Sequence, residues 1–517
     1  MKKLTLLLCF VSFLTNGQNI TVASGKSFTI EKTGAVTMSG NFSNAGTFIL
    51  NSDSDEFSSL IIGGSVTGNI TYNRYVNSVG TNEWDLIGAP VSGQSINSFV
   101  TANTSTLATN GATKAIGYYN NTDNTWTNYT TSTIVGAGNF PLGKGFQMAT
   151  NANGTGILSF TGAPTATNQT WTIIDNDAAN SGAGTRWNLV ANPFPSYIYG
   201  NANADSSHNF LTVNSDKLND SYEAIYGYDA DGSGYTVYNN TSAALRLAPG
   251  QAFMVASDNA ENDTISFTTA MRTTTGGDDL IVGRDPIDSF ELVLKLYEGD
   301  SEIDHTKFYF GDGLSLNLDP GYDAGHFNQG ASLMSRLVEE DEGVGLVINA
   351  MGIDSANDVV IPIELNREAG NNFRISIGTF NIDTAINVYL EDNVQETMTL
   401  LNDQDFELTA ENELNGIGRF FIHLTETVLS IDDKIETNYL NVFIADVNNF
   451  ITVEGLANQS NGTKLRLYTI RGKEVIFTTL NNTNNKQIIS TQGLSTGIYI
   501  VKLESGNILL TKKIFIK

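Results

Sequence analysis

The sequence predicts an all-β protein made of tandem β-sandwich modules. Short runs of alternating apolar and polar residues recur along the chain, and asparagine, threonine and serine crowd the stretches between them. Glycine is abundant at 49 residues and proline is sparse at 9, which suits many strands joined by tight turns. With 517 residues and ~150 residues per domain, the chain has room for three or four domains.

The chain begins with a predicted secretory signal at residues 1–17. Two lysines precede an apolar run over residues 4–14, and small residues lead to a cleavage point before Gln18. A membrane span needs about twenty apolar residues, so this run is too short and no transmembrane segment is expected. Cys9 is the only cysteine and lies inside the run, so we expect the mature protein to have no disulfide.

The acidic composition narrows the range of partners. The formal net charge of the chain is -27 at pH 7. Binding to phosphate groups requires a basic surface, so nucleic acid is not an expected partner. Two explanations of the acidity stay open, namely solubility in a saline exterior and the binding of divalent cations.

Residues 18–76 form a predicted N-terminal β-rich segment. Short apolar strands, such as residues 28–30, 36–38 and 48–50, are separated by glycine or asparagine. They recur about every eight to twelve residues, which predicts either the stacked rungs of a small β-solenoid or a run of hairpins.

The next part of the chain contains a duplication. Four short blocks occur twice, in the same order and with nearly constant spacing. The blocks are 84–90 (WDLIGAP) and 187–193 (WNLVANP), 116–119 (IGYY) and 226–229 (YGYD), 143–148 (GKGFQM) and 250–255 (GQAFMV), and 157–160 (ILSF) and 265–267 (ISF). The second block has an offset of 110, which aligns Tyr118 with Tyr228. We therefore predict two β-sandwich repeats, at residues 77–170 and 171–275.

Aromatic residues are concentrated in the middle of each repeat. Two interpretations stay open: cross-strand pairs that stabilise the sheets, which is the favoured one, and a platform on which sugar rings stack. The ligand-binding residues of the second interpretation are Tyr118, Trp126 and Tyr129 in the first repeat and Tyr228, Tyr235 and Tyr238 in the second.

The second repeat also contains the opening of a calcium loop. Asp229, Asp231 and Ser233 occupy the first, third and fifth positions, where oxygen ligands converge on a hard cation, and Gly234 allows the sharp turn. Asn240 stands where a bidentate glutamate would complete the site. Calcium is the only cofactor for which the sequence gives a signal, and a solvated hairpin turn is the favoured alternative.

Residues 285–427 form a predicted third β-sandwich module without a recognisable catalytic motif. The four histidines of the chain are far apart and show no compact metal-ligand spacing. His305 is next to Asp304, and His326 follows Asp323, so these residues could meet as a general base and its orienting carboxylate. A glycosidase needs only two carboxylates that meet in the fold, and the sequence does not exclude one.

The chain closes with a predicted β-hairpin. Residues 497–503 (GIYIVKL) alternate between two faces, residues 505–507 (SGN) form a turn, and residues 508–516 return. Upstream, residues 465–475 (LRLYTIRGKEV) predict a strand, a turn at Gly472 and a second strand.

These motifs resemble the type A C-terminal sorting domain of the type IX secretion system, a family known from Bacteroidetes. The resemblance covers residues 431–517 and implies an immunoglobulin-like sandwich that directs its protein across the outer membrane. The family's usual opening, Tyr-Pro-Asn-Pro, is replaced by residues 440–444 (LNVFI). The residues that carry the implied sorting signal are Gly472, Lys473, Gly497, Tyr499, Lys512 and Lys513.

We expect a non-enzymatic protein, secreted or held at the outer-membrane surface, that serves adhesion, surface structure or glycan binding. The resemblance implies the type IX machinery as a partner, removal of the sorting domain, and a remainder that is attached to lipopolysaccharide or released. Two alternatives stay open. One is a polysaccharide-active enzyme with an unrecognised carboxylate pair, and the other is a purely structural surface spacer.

Overall fold

The alternating sequence pattern folds mainly into strands with little helix, which confirms the predicted all-β class. The computed structural model describes residues 19–516 except residues 80–83, 153, 178–183, 230–233, 259–261, 280–289, 328–329, 384, 427–439, 446–449, 460–461 and 507. The predicted signal at residues 1–17 lies outside the described residues. Within the described ranges, no helix is both long and apolar enough to cross a membrane.

The N-terminal segment is a parallel β-solenoid. Its strands are β1 (Ile20–Val22), β2 (Ser27–Ile30), β3 (Ala35–Met38), β4 (Phe42–Asn44), β5 (Thr47–Asn51), β6 (Ser59–Ile62), β7 (Val66–Thr67) and β8 (Ile70–Tyr75). Each of β1 to β5 pairs in parallel with the third strand after it, so that Ile20 lies beside Phe42 and Phe42 beside Val66. A run of hairpins would pair antiparallel, so the solenoid is the correct one of the two predicted arrangements.

Two repeats follow the solenoid. The first contains β9 (Asp85–Ile87), α1 (Ile96–Ala102), β10 (Thr109–Asn110), β11 (Thr113–Asn120), β12 (Thr125–Thr130), β13 (Phe146–Met148) and β14 (Ile157–Gly162). The second contains β15 (Gln169–Ile173), β16 (Trp187–Ala191), β17 (Tyr197–Tyr199), α2 (Phe210–Asn214), β18 (Ile225–Asp229), β19 (Gly234–Tyr238), β20 (Arg246–Leu247), β21 (Ala252–Ala256), β22 (Asp263–Phe267) and β23 (Arg272–Thr273). The last long strand of each repeat pairs with an earlier strand, β14 with β8 and β22 with β15. By this equivalence β8, which lies within the predicted N-terminal segment, opens the first repeat.

Each repeat has one short helix at the equivalent position, which the sequence reasoning missed. Ser95 caps α1 by accepting a hydrogen bond from the Ser98 amide, and Asn209 caps α2 in the same way. Phe99 of α1 stacks on Phe160 of β14, and Phe210 of α2 packs on Phe267 of the equivalent strand β22. Each helix thus closes one side of its repeat's core.

The third module is a single curled sheet with one core. Its strands are β24 (Phe290–Glu298), β25 (Ser301–Gly311), β26 (Ala324–Gly325), β27 (Ser332–Ser335), β28 (Leu346–Gly352), β29 (Asp358–Asn366), β30 (Asn372–Asn381), β31 (Asn387–Asp392), β32 (Thr397–Leu400), β33 (Phe406–Thr409) and β34 (Phe420–Thr425). The order across the sheet is β32-β31-β34-β29-β27-β28-β25-β24-β30-β33, with β26 beside β28. Register shifts in β24 bend the sheet so far that Phe406 of β33 contacts Phe420 near the other end. One sheet therefore encloses the core that two sheets of a sandwich would otherwise share.

The C-terminal part is a two-sheet sandwich, as the resemblance implies. Its strands are β35 (Asn441–Ala445), β36 (Phe450–Glu454), β37 (Thr463–Thr469), β38 (Glu474–Leu480), β39 (Lys486–Ser490), β40 (Gly497–Ser505) and β41 (Ile508–Ile516). One sheet has the order β35-β36-β39 and the other β38-β37-β40-β41, with a shared apolar core between them. The 3-10 helices of the described chain are Ile134–Gly136, Ser215–Lys217, Asp220–Tyr222, Thr269–Met271, Ile353–Asn357 and Leu456–Asn458.

We predict that Phe48→Ala destabilises the solenoid far more than Phe28→Ala. The two rings stack on each other at 4.9 Å, but Phe48 is 1% exposed and Phe28 is 39% exposed. Truncating a buried phenylalanine leaves a cavity and costs about 3–5 kcal/mol, whereas a half-exposed ring loses much less. Thermal unfolding of the intact chain, followed by circular dichroism, measures the shift of each transition. Equal shifts for the two variants would contradict this account of the core.

Candidate functional site

Each repeat presents a hairpin that carries an aromatic pair on one face. Tyr119 lies opposite Trp126 across β11–β12, and Tyr228 lies opposite Tyr235 across β18–β19. The ring centroids are 5.3 Å apart in both pairs. Cross-strand aromatic pairs stabilise hairpins, so these contacts explain part of the aromatic enrichment. We call these four residues the aromatic row.

The pairing of the two hairpins shows that the predicted alignment of the repeats is wrong by one residue at this block. The offset of 110 paired Tyr118 with Tyr228, whereas the structural equivalent of Tyr228 is Tyr119. Pairing with the next strand gives the same equivalence, because Gly117 pairs with Gln147 as Tyr226 pairs with Met254. Successive side chains of a strand point to opposite faces, so the shift moves Tyr118 to the other side of the sheet.

That other side is the contact between the two repeats. Tyr118 and Tyr129 lie there with ring centroids 5.6 Å apart. The Lys144 ammonium is 5.0 Å from the Tyr118 ring and 5.9 Å from the ring of Trp171 in the second repeat. Burial lowers the pKa of Lys144. These residues therefore form a cation–π contact that joins the repeats.

The aromatic row continues across the two repeats. Ile87 of β9 bridges Gln251 next to β21, which brings the two sheets side by side. Tyr119, Tyr228 and Tyr235 pack on one shared apolar cluster. Burial raises the pKa of Tyr235, and the neighbouring tyrosines, Tyr119 among them, add to that rise. The row is thus one surface feature rather than two separate pairs.

The third module covers one end of the row. Phe327 packs against Tyr235 at 4.1 Å and against Trp187 at 4.5 Å. The Tyr226 hydroxyl donates to the Gly325 carbonyl oxygen at 2.8 Å. At the other end Trp126 is 38% exposed. The aromatic row is therefore anchored at Phe327 and open at Trp126.

The six predicted ligand-binding residues do not form a single platform. Tyr238 is buried in the core of the second repeat, and Tyr118 and Tyr129 lie on the face that joins the repeats. Trp126, Tyr228 and Tyr235 remain on the row. Tyr119 takes the place on the row that the offset of 110 gave to Tyr118, because the repeats pair with an offset of 109 at this point.

The predicted calcium loop falls largely outside the described residues. Asp231 and Ser233 belong to that undescribed stretch, and only the backbone of Asp229, at the end of β18, is described. In the described part of the chain no group of three or more metal-ligating side chains comes together. The calcium site stays a prediction.

A histidine–carboxylate pair forms between one member of each anticipated pair, His326 and Asp304. His326 Nε2 lies 3.0 Å from an Asp304 carboxylate oxygen, and both side chains are nearly buried. Asp304 also accepts a hydrogen bond from the Leu333 amide at 2.8 Å. Asp323 instead accepts hydrogen bonds from the Ala350 and Asp319 amides, and burial raises its pKa to about 7. These contacts hold the segment before Phe327 against the curled sheet.

The other histidines lie elsewhere. His305 Nδ1 is 3.5 Å from Glu302 on the same strand and is exposed. His423 is buried with its Nε2 2.7 Å from Glu391, which places it in the packing of β34 as the strand pattern favoured.

A polar cleft of about 500 Å³ opens on the third module. Its lining includes Arg367, Glu298, Glu368, Glu413 and three asparagines. Arg367 is buried and donates to Glu298 at 2.9 Å, while its Nε has no hydrogen-bond partner among the described residues. Carboxylates that face one cavity are what a polysaccharide-active enzyme requires, so this cleft is where that alternative can be tested.

A buried ion cluster joins the third module to the C-terminal sandwich. Arg336 is 1% exposed and forms ion pairs with Asp341 at 3.1 Å, Glu364 at 2.7 Å and Glu454 at 2.9 Å. Glu454 belongs to β36 of the sandwich, and Asn441 of β35 donates to Asp341. Surrounding carboxylates raise the pKa of Arg336 although burial opposes them. This cluster could not be predicted from local pattern, because its members are separated by up to 118 residues.

The residues of the implied sorting signal occupy three kinds of position. Gly472 adopts a φ of 77° in the turn that leads to Lys473, a conformation that favours glycine. Tyr499 is buried, two residues after Gly497, which opens β40. The Lys512 ammonium donates to the Asp341 carbonyl oxygen at 2.8 Å. Its neighbour Lys513 points to the opposite face and is exposed.

Two family models match the chain. The model described as "Domain of unknown function (DUF8693)" matches residues 10–423, and the model described as "Secretion system C-terminal sorting domain" matches residues 446–517. The second match confirms the type IX sorting domain, and with it export to the surface or the medium. No curated protein matches the chain.

We predict that Arg336→Met strongly destabilises the contact between the third module and the sandwich. The variant removes the cation shared by Asp341 and Glu364, while Glu454 keeps its ion pair with Lys486 at 2.9 Å. Removing one partner of a buried ion pair costs about 3–5 kcal/mol.

Arg374→Met is the matched control, because Arg374 forms a more exposed ion pair with Asp405 worth about 0–1 kcal/mol. Denaturant unfolding and limited proteolysis of the intact chain measure the effect. A stability equal to that of the control would show that the cluster is not a major contact.

We predict that Glu223→Gln removes a loss of folding stability that the wild type shows as the pH rises. The Glu223 carboxylate lies beside Gly321. Glu223 is buried, and burial, with a smaller contribution from Asp220, raises the pKa of its carboxyl to about 7. The folded state holds this proton more tightly than the unfolded state, so stability from this group falls as pH rises from about 4.5 to about 7. The thermal midpoint of the glutamine variant, relative to the wild type, is therefore expected to be higher at pH 8 than at pH 5. A constant difference would contradict the shifted pKa.

Proposed function

The chain belongs to the DUF8693 family, a domain of unknown function, and from this premise we propose that it is a non-enzymatic surface protein that contacts glycans through the aromatic row. The sorting domain directs the protein to the outer-membrane surface or the medium, where an exported protein can meet polysaccharides. The observation that carries the proposal is the exposed ring of Trp126 at the open end of the row, 5.3 Å from Tyr119.

The chemistry of this end of the row suits a sugar. The apolar face of a pyranose packs on an aromatic ring, and its hydroxyl groups need polar neighbours. The end of β11 supplies Asn120, and the loop before β12 supplies Asp123 and Asn124. The Tyr119 hydroxyl donates to Asn124 Oδ1 at 2.8 Å, which fixes the orientation of that ring.

The closed end of the row supports the proposal by holding the rings in place. Tyr228 and Tyr235 pack on the cluster that includes Phe327 of the third module. A binding surface held by a rigid core loses little conformational entropy when a ligand binds. The anchored half of the row thus preorganises the open half.

We predict that Trp126→Ala lowers the affinity for bound glycans by about tenfold or more, because stacking on one ring is worth about 1.4 kcal/mol. A glycan array probed with the purified chain measures this, and titration of the best ligand gives the dissociation constant. Val135→Ala is the matched control, since Val135 is 72% exposed in the same repeat but lies off the row.

Three results would count against glycan contact through the row. One is a chain that binds no glycan, which favours the structural spacer. Another is an equal loss of affinity in the Val135 control. The third is an activity that releases reducing ends from polysaccharides and is abolished by Glu413→Gln. This result would assign an enzymatic function to the polar cleft.

A further inference from the structure

The polar cleft of the third module lies at one end of the curled sheet. Glu298 closes β24 and Asn366 closes β29 at this end, and residues 330–331 lead into β27. The rest of the lining comes from residues 367–371 after β29 and from residues 413–415 after β33. Binding sites for small molecules have volumes of about 300–1,000 Å³ and occur at the mouths of barrel-like sheets. With about 500 Å³, the cleft has the position and the size of such a site.

The two loops of the cleft are tied together by backbone hydrogen bonds. The Arg367 amide donates to the Leu414 carbonyl oxygen at 2.9 Å, and the Leu414 amide donates back at 2.8 Å. The Gly370 amide donates to the Ala410 carbonyl oxygen at 2.7 Å, and the Ala410 amide donates to the Asn371 carbonyl oxygen at 3.1 Å. Leu414 also packs against the core of the module. A preformed cavity of this kind loses little conformational entropy when a ligand binds.

The floor of the cleft contains hydrogen-bond donors that the protein does not use. Arg367 is 4% exposed, and its Nη2 donates to Glu298 at 2.9 Å. Among the described residues this is the only hydrogen bond of the guanidinium, and the buried Nε has no acceptor. A guanidinium has five N–H donors, and its one partner here, the Glu298 side chain, is 55% exposed. Buried polar groups are nearly always paired, so the remaining donors require an acceptor that this chain does not supply.

The neighbouring residue contributes an unused acceptor. Asn366 Nδ2 donates to Ser332 Oγ at 2.9 Å, whereas its buried Oδ1 has no donor among the described residues. Consecutive residues of the cleft, Asn366 and Arg367, therefore lack one partner of each kind. A hydroxyl group is both a donor and an acceptor, so hydroxyl groups of a ligand can satisfy both residues.

The charges of the cleft favour a neutral ligand. Glu298, Glu368 and Glu413 supply three negative charges and Arg367 one positive charge, a net charge of -2. This excess would repel an anion, and a simple cation would leave the donors of Arg367 unmatched. In the described part of the chain, these carboxylates do not converge as the ligands of one metal ion would. A neutral molecule with several hydroxyl groups can donate to the carboxylates and accept from the guanidinium.

We propose that the polar cleft binds a neutral sugar, whose hydroxyl groups accept from Arg367 and donate to Asn366 and Glu413. The side-chain amides of Asn371 and Asn415 line the cleft as well, and each can both donate and accept. The cleft belongs to the third module, whereas the open end of the aromatic row belongs to the first repeat. The inference therefore does not rest on glycan contact through the row. The two sites also differ in chemistry, because the row offers ring faces and the cleft offers polar groups.

The test measures the binding of free hexoses to the purified full chain. Glucose, galactose and mannose are the probes, saturation-transfer NMR detects binding, and calorimetric titration gives the dissociation constant. The variants of the cleft are Arg367→Met and Glu413→Ala. Their matched controls are Arg374→Met, whose ion pair with Asp405 lies outside the cleft, and Glu411→Ala, an exposed carboxylate of the same loop that does not line it.

At least one hexose is expected to bind, and each cleft variant is expected to lower its affinity by about tenfold or more, as the loss of a hydrogen bond to a charged group does. The two controls and Trp126→Ala are expected to stay within about twofold of the wild type. Glu413 is exposed, so its variant tests the site even if Arg367→Met does not fold. Absence of hexose binding, or an equal loss in the controls, would overturn the proposal. Loss of binding in Trp126→Ala but not in Glu413→Ala would place the sugar on the row and would overturn it as well.

Two other occupants of the cleft give different results. If the ligand is a cation, the wild type binds spermidine but no hexose, and Glu413→Ala weakens this binding while Arg367→Met does not. If the ligand is a zwitterion, the wild type binds free alanine but no hexose, and both variants lose it. Either result would overturn the assignment of a neutral sugar.

Discussion

The buried guanidinium of Arg336 is the contact on which the arrangement of the C-terminal half depends. It is paired with Asp341 and Glu364 of the third module and with Glu454 of the sorting domain. A charge taken out of water is tolerated only when its partners surround it, so the cluster is satisfied in one relative position of the two domains. The sorting domain is consequently a docked part of the folded molecule and not a loosely tethered tail.

The N-terminal half is joined by apolar and aromatic contacts instead. The solenoid and the first repeat share one core, which runs from Val22 to Phe160. The two repeats meet at Lys144 and its aromatic neighbours, and Phe327 fastens the second repeat to the third module. From the solenoid to the sorting domain, each described module is therefore in contact with the next.

The sequence predicted the features that depend on local pattern. Alternating residues gave the strands, spaced rungs such as residues 28–30 and 48–50 gave the solenoid as one of two options, and the closing motifs gave the sorting domain. Features that depend on long-range contact were beyond it. The partners of Arg336 are far apart in sequence, and choosing Tyr119 over Tyr118 required the pairing of β11 with its neighbouring strands. The apolar run of each short helix is too brief to be told from a strand by periodicity alone.

The equivalent aromatic pairs of the two repeats have different surroundings. In the second copy the aromatic pair has become part of a joint, because Phe327 lies on it and fixes it in place. In the first copy the outer end of the equivalent pair is Trp126, which is partly exposed to solvent. Substitutions at Tyr235 are constrained by architecture, while those at Trp126 are not. The same pair of positions thus serves a contact between modules in the second repeat and leaves a ring accessible to solvent in the first.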